Sequence, residues 1–125
     1  MTVVRGAEIE MMQTPGGMAT GSLASPGRGA TEVLAFRQCQ EPGGQNPLHM
    51  QDREEVMLQV AGTVTVTVAD EQIELSAGDV LIVPAYAAHR VVNTGATPAE
   101  WLLVAPAGMR FFNPVGEEIK PAWVV

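Results

Sequence analysis

Residues 63–68 read TVTVTV, and this strict alternation is the strongest constraint in the chain. A period of two places Val64, Val66 and Val68 on one face and Thr63, Thr65 and Thr67 on the other, which a strand accommodates and a helix does not. One face must therefore be core. The segments around it have the same character: Thr31–Gln38, Glu55–Val60, Gln72–Leu75, Val80–Val83 and Glu100–Ala105 are short runs rich in Val, Leu and Ile. The 13 glycines and 9 prolines are spread through the chain and break it between these runs. No window combines sustained helical periodicity with a cap, and AAHRVV (87–92) is too short and too β-branched for a helix. The expected class is all-β with little or no helix, and a sheet this rich in strands hides its edges as a sandwich or a closed barrel.

The 125 residues suffice for one domain with a substantial core. Residues 31–107 are expected to form the barrel. Residues 1–30, broken by Pro15, Gly16, Gly17, Gly21, Pro26, Gly27 and Gly29, are expected as loop or edge strands. Residues 108–125 end in an apolar KPAWVV, expected to pack on the barrel or on a partner, because Trp123 would be costly to leave in water. A formal charge of -7 with seven basic residues excludes nucleic acid and anionic membranes as partners, since both need clustered Lys and Arg. No apolar run approaches the roughly 20 residues of a membrane span. The single cysteine, Cys39, and the acidic groups among the first ten residues make a reducing cytoplasm the expected location.

Candidate ligands fall in two groups: His49, Gln51 and Glu55, then His89. Both histidines of the chain are among them. Imidazoles with one carboxylate suit iron, manganese, nickel, cobalt or zinc, with positions left open for substrate. A metal-free polar cluster is the alternative. It would have to bury Glu55 with no cation nearby, at a cost of several kcal/mol or by protonating it. Arg53 and Glu54 read as a solvated pair. Arg37 and Arg90 could grip a substrate carboxylate, but alternation turns Arg90 away from His89. Cys39, with no basic neighbour, receives no role.

The spacing of these residues resembles the two motifs of a small single-domain cupin. Gly43, His49, Glu55 and Gly62 fit the first motif, with Gln51 where the second histidine stands; Gly78, Pro84, His89 and Asn93 fit the second, with Tyr86 in place of a glycine. Fifteen residues separate the two motifs, and the match spans residues 43–93. The resemblance implies a double-stranded β-helix, or jelly-roll, barrel around one divalent transition metal held by His49, Gln51, Glu55 and His89. It also implies an inner lining of Met57, Gln59, Val91, Trp101 and Leu103, with the Gln59 amide beside the metal. Glu55 could double as a base and Tyr86 as a proton donor, although a phenol at a barrel rim also serves to pack.

Two functions stay open: a metal-dependent enzyme performing dioxygenation or isomerase or lyase chemistry on a small oxygenated molecule, and a metal-free or metal-bearing sensor or carrier of a small ligand. Gln51 is a weaker donor than imidazole and would leave the ion a stronger Lewis acid, which suits polarising a carbonyl. Small cupins pair, and the N-terminal segments and apolar tail are consistent with a homodimer. Light scattering near the monomer mass of 13.2 kDa would contradict that expectation.

Overall fold

The computed structural model describes residues 1–122. Among the described residues, twelve strands form: β1 (Met12–Thr14), β2 (Met18–Ala24), β3 (Val33–Gln40), β4 (Met50–Gln51), β5 (Glu55–Ala61), β6 (Val64–Val68), β7 (Glu71–Leu75), β8 (Val80–Val83), β9 (His89–Val92), β10 (Ala99–Pro106), β11 (Phe111–Phe112) and β12 (Glu118–Ile119). Single 3-10 turns stand at Gly6–Glu8 and Pro26–Arg28. One layer is an antiparallel sheet in the order β1-β2-β3-β10-β5-β8. The other consists of β7-β6-β9 and β12-β11-β4, joined where His49 bridges to His89. This is the all-β jelly-roll barrel that the alternation and motif spacing predicted.

The core lies between the layers. Val64 and Val66 are fully buried while Thr65 and Thr67 turn outward, as the TVTVTV pattern requires. From the larger sheet, Leu34 and Phe36 of β3, Met57 of β5 and Trp101 and Leu103 of β10 meet them. Burial of such side chains, at about 1.5–3 kcal/mol each, supplies the main driving force. The outer face of the same sheet is also apolar at β8, where Val80 and Ile82 are 55% and 58% exposed.

The N-terminal segment contributes two strands that its composition hides. β2 contains Gly21, where an added Cβ would stand 2.6 Å from Met11 Sδ; glycine admits this close approach although it weakens the strand pattern. The tail contributes β11 and β12, and β11 pairs with β4 through Phe111 opposite Gln51. Reciprocal bonds tie the same two segments, from Arg110 N–H to Asp52 Oδ1 (2.8 Å) and from Asp52 N–H to Arg110 O (3.1 Å). Trp123 lies outside the described residues.

The motif glycines and Asn93 set the turns. Gly62 has φ +72°, and a Cβ there would lie 2.7 Å from Pro98 O and 2.9 Å from Ala99 Cα; Gly78 has φ +95° with open space around it. Gly62→Ala combines backbone strain with a clash against backbone and is expected to cost about 3 kcal/mol, against about 1 kcal/mol for Gly78→Ala. Urea unfolding midpoints compare the two, and equal losses would show that the contact at Gly62 relaxes freely. The Asn93 amide donates to Gln40 O (3.0 Å) and Thr97 O (2.9 Å), and its Oδ1 accepts from Gly95 N–H (2.9 Å), so this buried side chain is fully used in holding the turn before β10.

Candidate metal centre

His49 and His89 are placed by backbone pairing. His49 N–H donates to His89 O (3.1 Å) and His89 N–H to His49 O (2.8 Å), an antiparallel pair that puts both side chains on the same face. Their ring centroids are 4.2 Å apart. Each Nδ1 lies against a carbonyl two residues back, Pro47 O at 2.8 Å and Ala87 O at 2.9 Å. A carbonyl only accepts, so both Nδ1 atoms carry the proton and both Nε2 atoms keep a free lone pair. Burial holds both imidazoles below the usual histidine range. For His89, burial first and then the neighbouring His49 push it down to about 4. Two neutral imidazoles with free Nε2 atoms and backbone-fixed rings are what a transition metal requires of histidine ligands.

Glu55 approaches from the other layer, at the start of β5 opposite Val83. Its carboxyl is buried, and desolvation raises it to about 8. All three side chains line one cavity of about 240 Å³. Its wall is otherwise mostly apolar, with Met57, Val91, Trp101 and Leu103 as the motif resemblance implied. Gln59 is a correction: it is buried but off the cavity wall, because its amide donates to Ala61 O (2.9 Å) and Gly62 O (3.3 Å). Gln38 of β3, Thr14, Thr20, Phe111 and Ile119 also reach the wall, and the sequence reading missed all five. Alternation through Leu34, Phe36 and Gln38 was a signal for the first; the others carried none.

A family model described as the Cupin domain matches residues 36–105. The chain belongs to the cupin family. No curated protein matches the sequence significantly. Among solved structures, this cupin is similar to the polyketide cyclase RemF of Streptomyces resistomycificus, at 18% identity over 99% of this chain and 89% of that one, TM-score 0.78. It is also similar to an RmlC-like cupin of Shewanella frigidimarina, at 22% identity over 84% and 89% of the two chains, TM-score 0.73. A predicted oxalate decarboxylase of Thermotoga maritima shows 26% identity over 84% and 98%, TM-score 0.73.

This cupin departs from the family motifs at two positions. Tyr86 stands at the glycine position with φ +63°, the left-handed backbone that explains why glycine is usual there. Its side chain is 63% exposed, lies outside the cavity wall and packs on Phe112 with ring centroids 6.4 Å apart; the Arg110 guanidinium stands 5.5 Å from the other ring's centroid. The geometry therefore does not bring Tyr86 to Glu55 and the histidines. Arg90 is exposed, as alternation required, and Arg37 pairs with Glu100 on the outer surface at 3.0 Å, so neither reaches the cavity.

Gln51 is 2% exposed and is not part of the cavity wall, and neither its Oε1 nor its Nε2 has a hydrogen-bond partner among the described residues. Unpartnered amide atoms of this kind cost about 1–3 kcal/mol. The donors of the cupin motif thus suit a divalent ion: two free Nε2 atoms, one buried carboxyl without a cation and one amide oxygen without a donor. Among the described residues no three His, Cys, Asp or Glu side chains are gathered closely enough to hold an ion. The imidazole pair is the part already in place. Gln51→Met, similar in length and without polar atoms to satisfy, is expected to stabilise the metal-free protein by about 1–2 kcal/mol while weakening divalent-ion binding. Unfolding in chelator and metal titration test the two halves, and a destabilised variant would show that the amide has a partner.

Proposed function

We propose that this cupin is a metal-dependent enzyme acting on a small oxygenated organic molecule, with His49 and His89 as the core ligands and Glu55 and Gln51 completing the set. The observation that carries the reading is the backbone-locked pair of imidazoles, both neutral and both with Nε2 free, on the wall of a mostly apolar cavity. A bound divalent ion would supply a Lewis acid that polarises a substrate oxygen. The chain's own residues do the rest. The apolar wall keeps water scarce, and Glu55, on the wall of the same cavity, holds or takes a proton at its carboxyl oxygen. The substitution of an amide for one imidazole favours non-redox isomerase or lyase chemistry over dioxygenation, because it leaves more positive charge on the ion. The enzymes among the structural neighbours, a polyketide cyclase and a predicted oxalate decarboxylase, support an enzyme over a carrier.

The second reading, a cupin that binds a small ligand without catalysis, is favoured by the incomplete gathering of ligands. Titration of metal-free protein with Fe(II), Mn(II), Co(II), Ni(II) and Zn(II) separates the two. The enzyme reading expects about one equivalent of at least one ion, and less than about a tenth of an equivalent of any would sink it.

A further inference from the structure

The β1–β2 hairpin brings two hydroxyls to the cavity, Thr14 and Thr20, with hydrogen-bonding capacity unspent. Thr20 lies opposite Met12 and Thr14 opposite Met18, so both are on the same face of the hairpin. Thr14 Oγ1 is buried with no partner among the described residues. The state of Thr20 follows from a chain of bonds whose direction chemistry fixes. Trp101 Nε1–H can only donate, and it donates to Gln38 Oε1 at 2.8 Å. The Gln38 amide is thereby oriented, so its Nε2–H donates to Thr20 Oγ1 at 3.2 Å. Thr20 therefore serves as acceptor, and its own proton has no acceptor among the described residues.

This hydroxyl end is apart from Glu55. Trp101 pairs with Gln59 on β5, four residues from Glu55, or about 13 Å along the strand, and Met57 and Leu103 fill the wall between. No Arg or Lys lines the cavity at either end. A carboxylate or phosphate group placed at the threonines would be desolvated without a counter-charge, which costs far more than two hydroxyl bonds return. A carbonyl, ether or phenolic oxygen costs little to desolvate and accepts both bonds.

We infer that the Thr14–Thr20 end of the cavity is a receptor for an uncharged acceptor oxygen, so that the molecule this cupin takes is largely apolar, the size of one or two rings, and carries a neutral oxygen function remote from Glu55. The cavity volume, equal to roughly eight waters, sets that size. The inference deepens the proposed function and rests on it for the statement that chemistry occurs at the other end. The receptor itself does not depend on a metal.

The test uses metal-free protein and three probes of one shape: acetophenone, ethylbenzene and benzoate. Binding is followed by titration of the Trp101 indole N–H resonance. Wild type is expected to bind acetophenone about five- to tenfold more tightly than ethylbenzene, and benzoate at least about tenfold more weakly than acetophenone. Thr20→Val should bring the ketone-to-hydrocarbon ratio close to one, and Thr20→Ser should retain it. Thr20→Val also leaves the Gln38 amide unpaired and could fail to fold. Thr14→Val, on the edge strand, orphans nothing and should alone cut the ratio about threefold. A ratio unmoved by the folded Val variants, benzoate bound as tightly as acetophenone, or no probe moving Trp101 would each overturn the inference. Since no metal is present, failure here leaves the metal reading standing, and failure of metal titration leaves this result standing.

Discussion

Freed of metal by a chelator, the wild-type protein is expected to lose about 4–5 kcal/mol of stability relative to Glu55→Gln as the pH rises from 4.5 to 8. The sign follows from proton binding. Glu55 titrates near 4.5 in the unfolded chain, but burial raises it to about 8 in the folded one. Between those values the unfolded state has released a proton that the folded state still holds, so rising pH favours unfolding. The contribution is fully present below 4.5 and lost by 8. His89 acts oppositely: its folded value is pushed down to about 4, so its contribution is present above 6.5 and lost as the pH falls toward 4. Between about 4.5 and 6.5 the Glu55 slope is opposed by His89, and His49, also lowered by burial, adds to the His89 side; above 6.5 the Glu55 slope remains, a fall of about 2 kcal/mol from 6.5 to 8. The difference between wild type and Glu55→Gln removes the histidines and isolates the carboxyl. Urea unfolding at half-unit pH steps measures it, and parallel curves for the two proteins would show that Glu55 is not buried as described. A saturating divalent ion should flatten the difference, because it favours the carboxylate.

His89→Ala is expected to lower divalent-metal affinity at least about a hundredfold while leaving the barrel folded, as judged by circular dichroism and the unfolding midpoint. The backbone bonds between residues 49 and 89 do not involve the imidazole and survive the change. What is lost is one of two preset Nε2 donors, and neither Gln51 nor Glu55 is placed to take its position unaided. Unchanged metal occupancy in the variant would refute the ligand assignment.

The barrel was legible because its strands repeat with period two. Val80–Val83 fell where the run of apolar residues put it, and the β5, β6, β7 and β10 boundaries lie within a residue or two of the runs that predicted them. β2 was not legible: Gly21, needed for close approach to Met11, reads as a breaker. β4, β11 and β12 are two-residue strands whose pairing is long-range, and no local pattern records that Phe111 lies against Gln51. In the site, motif spacing brought His49 and His89 together because a direct cross-strand pair underlies it. The threonine end carries no motif, since its side chains come from segments related only through the sheet. Gln59 was misread because its direction inward is right but its Nε2–H group is held by the Ala61–Gly62 turn.

The backbone-locked imidazoles are proposed as the core of a metal site. Crystals grown from protein reconstituted with Co(II) or Zn(II), measured on both sides of the metal's absorption edge, test it directly. One anomalous peak per chain is expected within bonding distance of His49 Nε2 and His89 Nε2, with Glu55 or Gln51 drawn toward it. No peak at the two imidazoles, or a peak held by other residues, would contradict it.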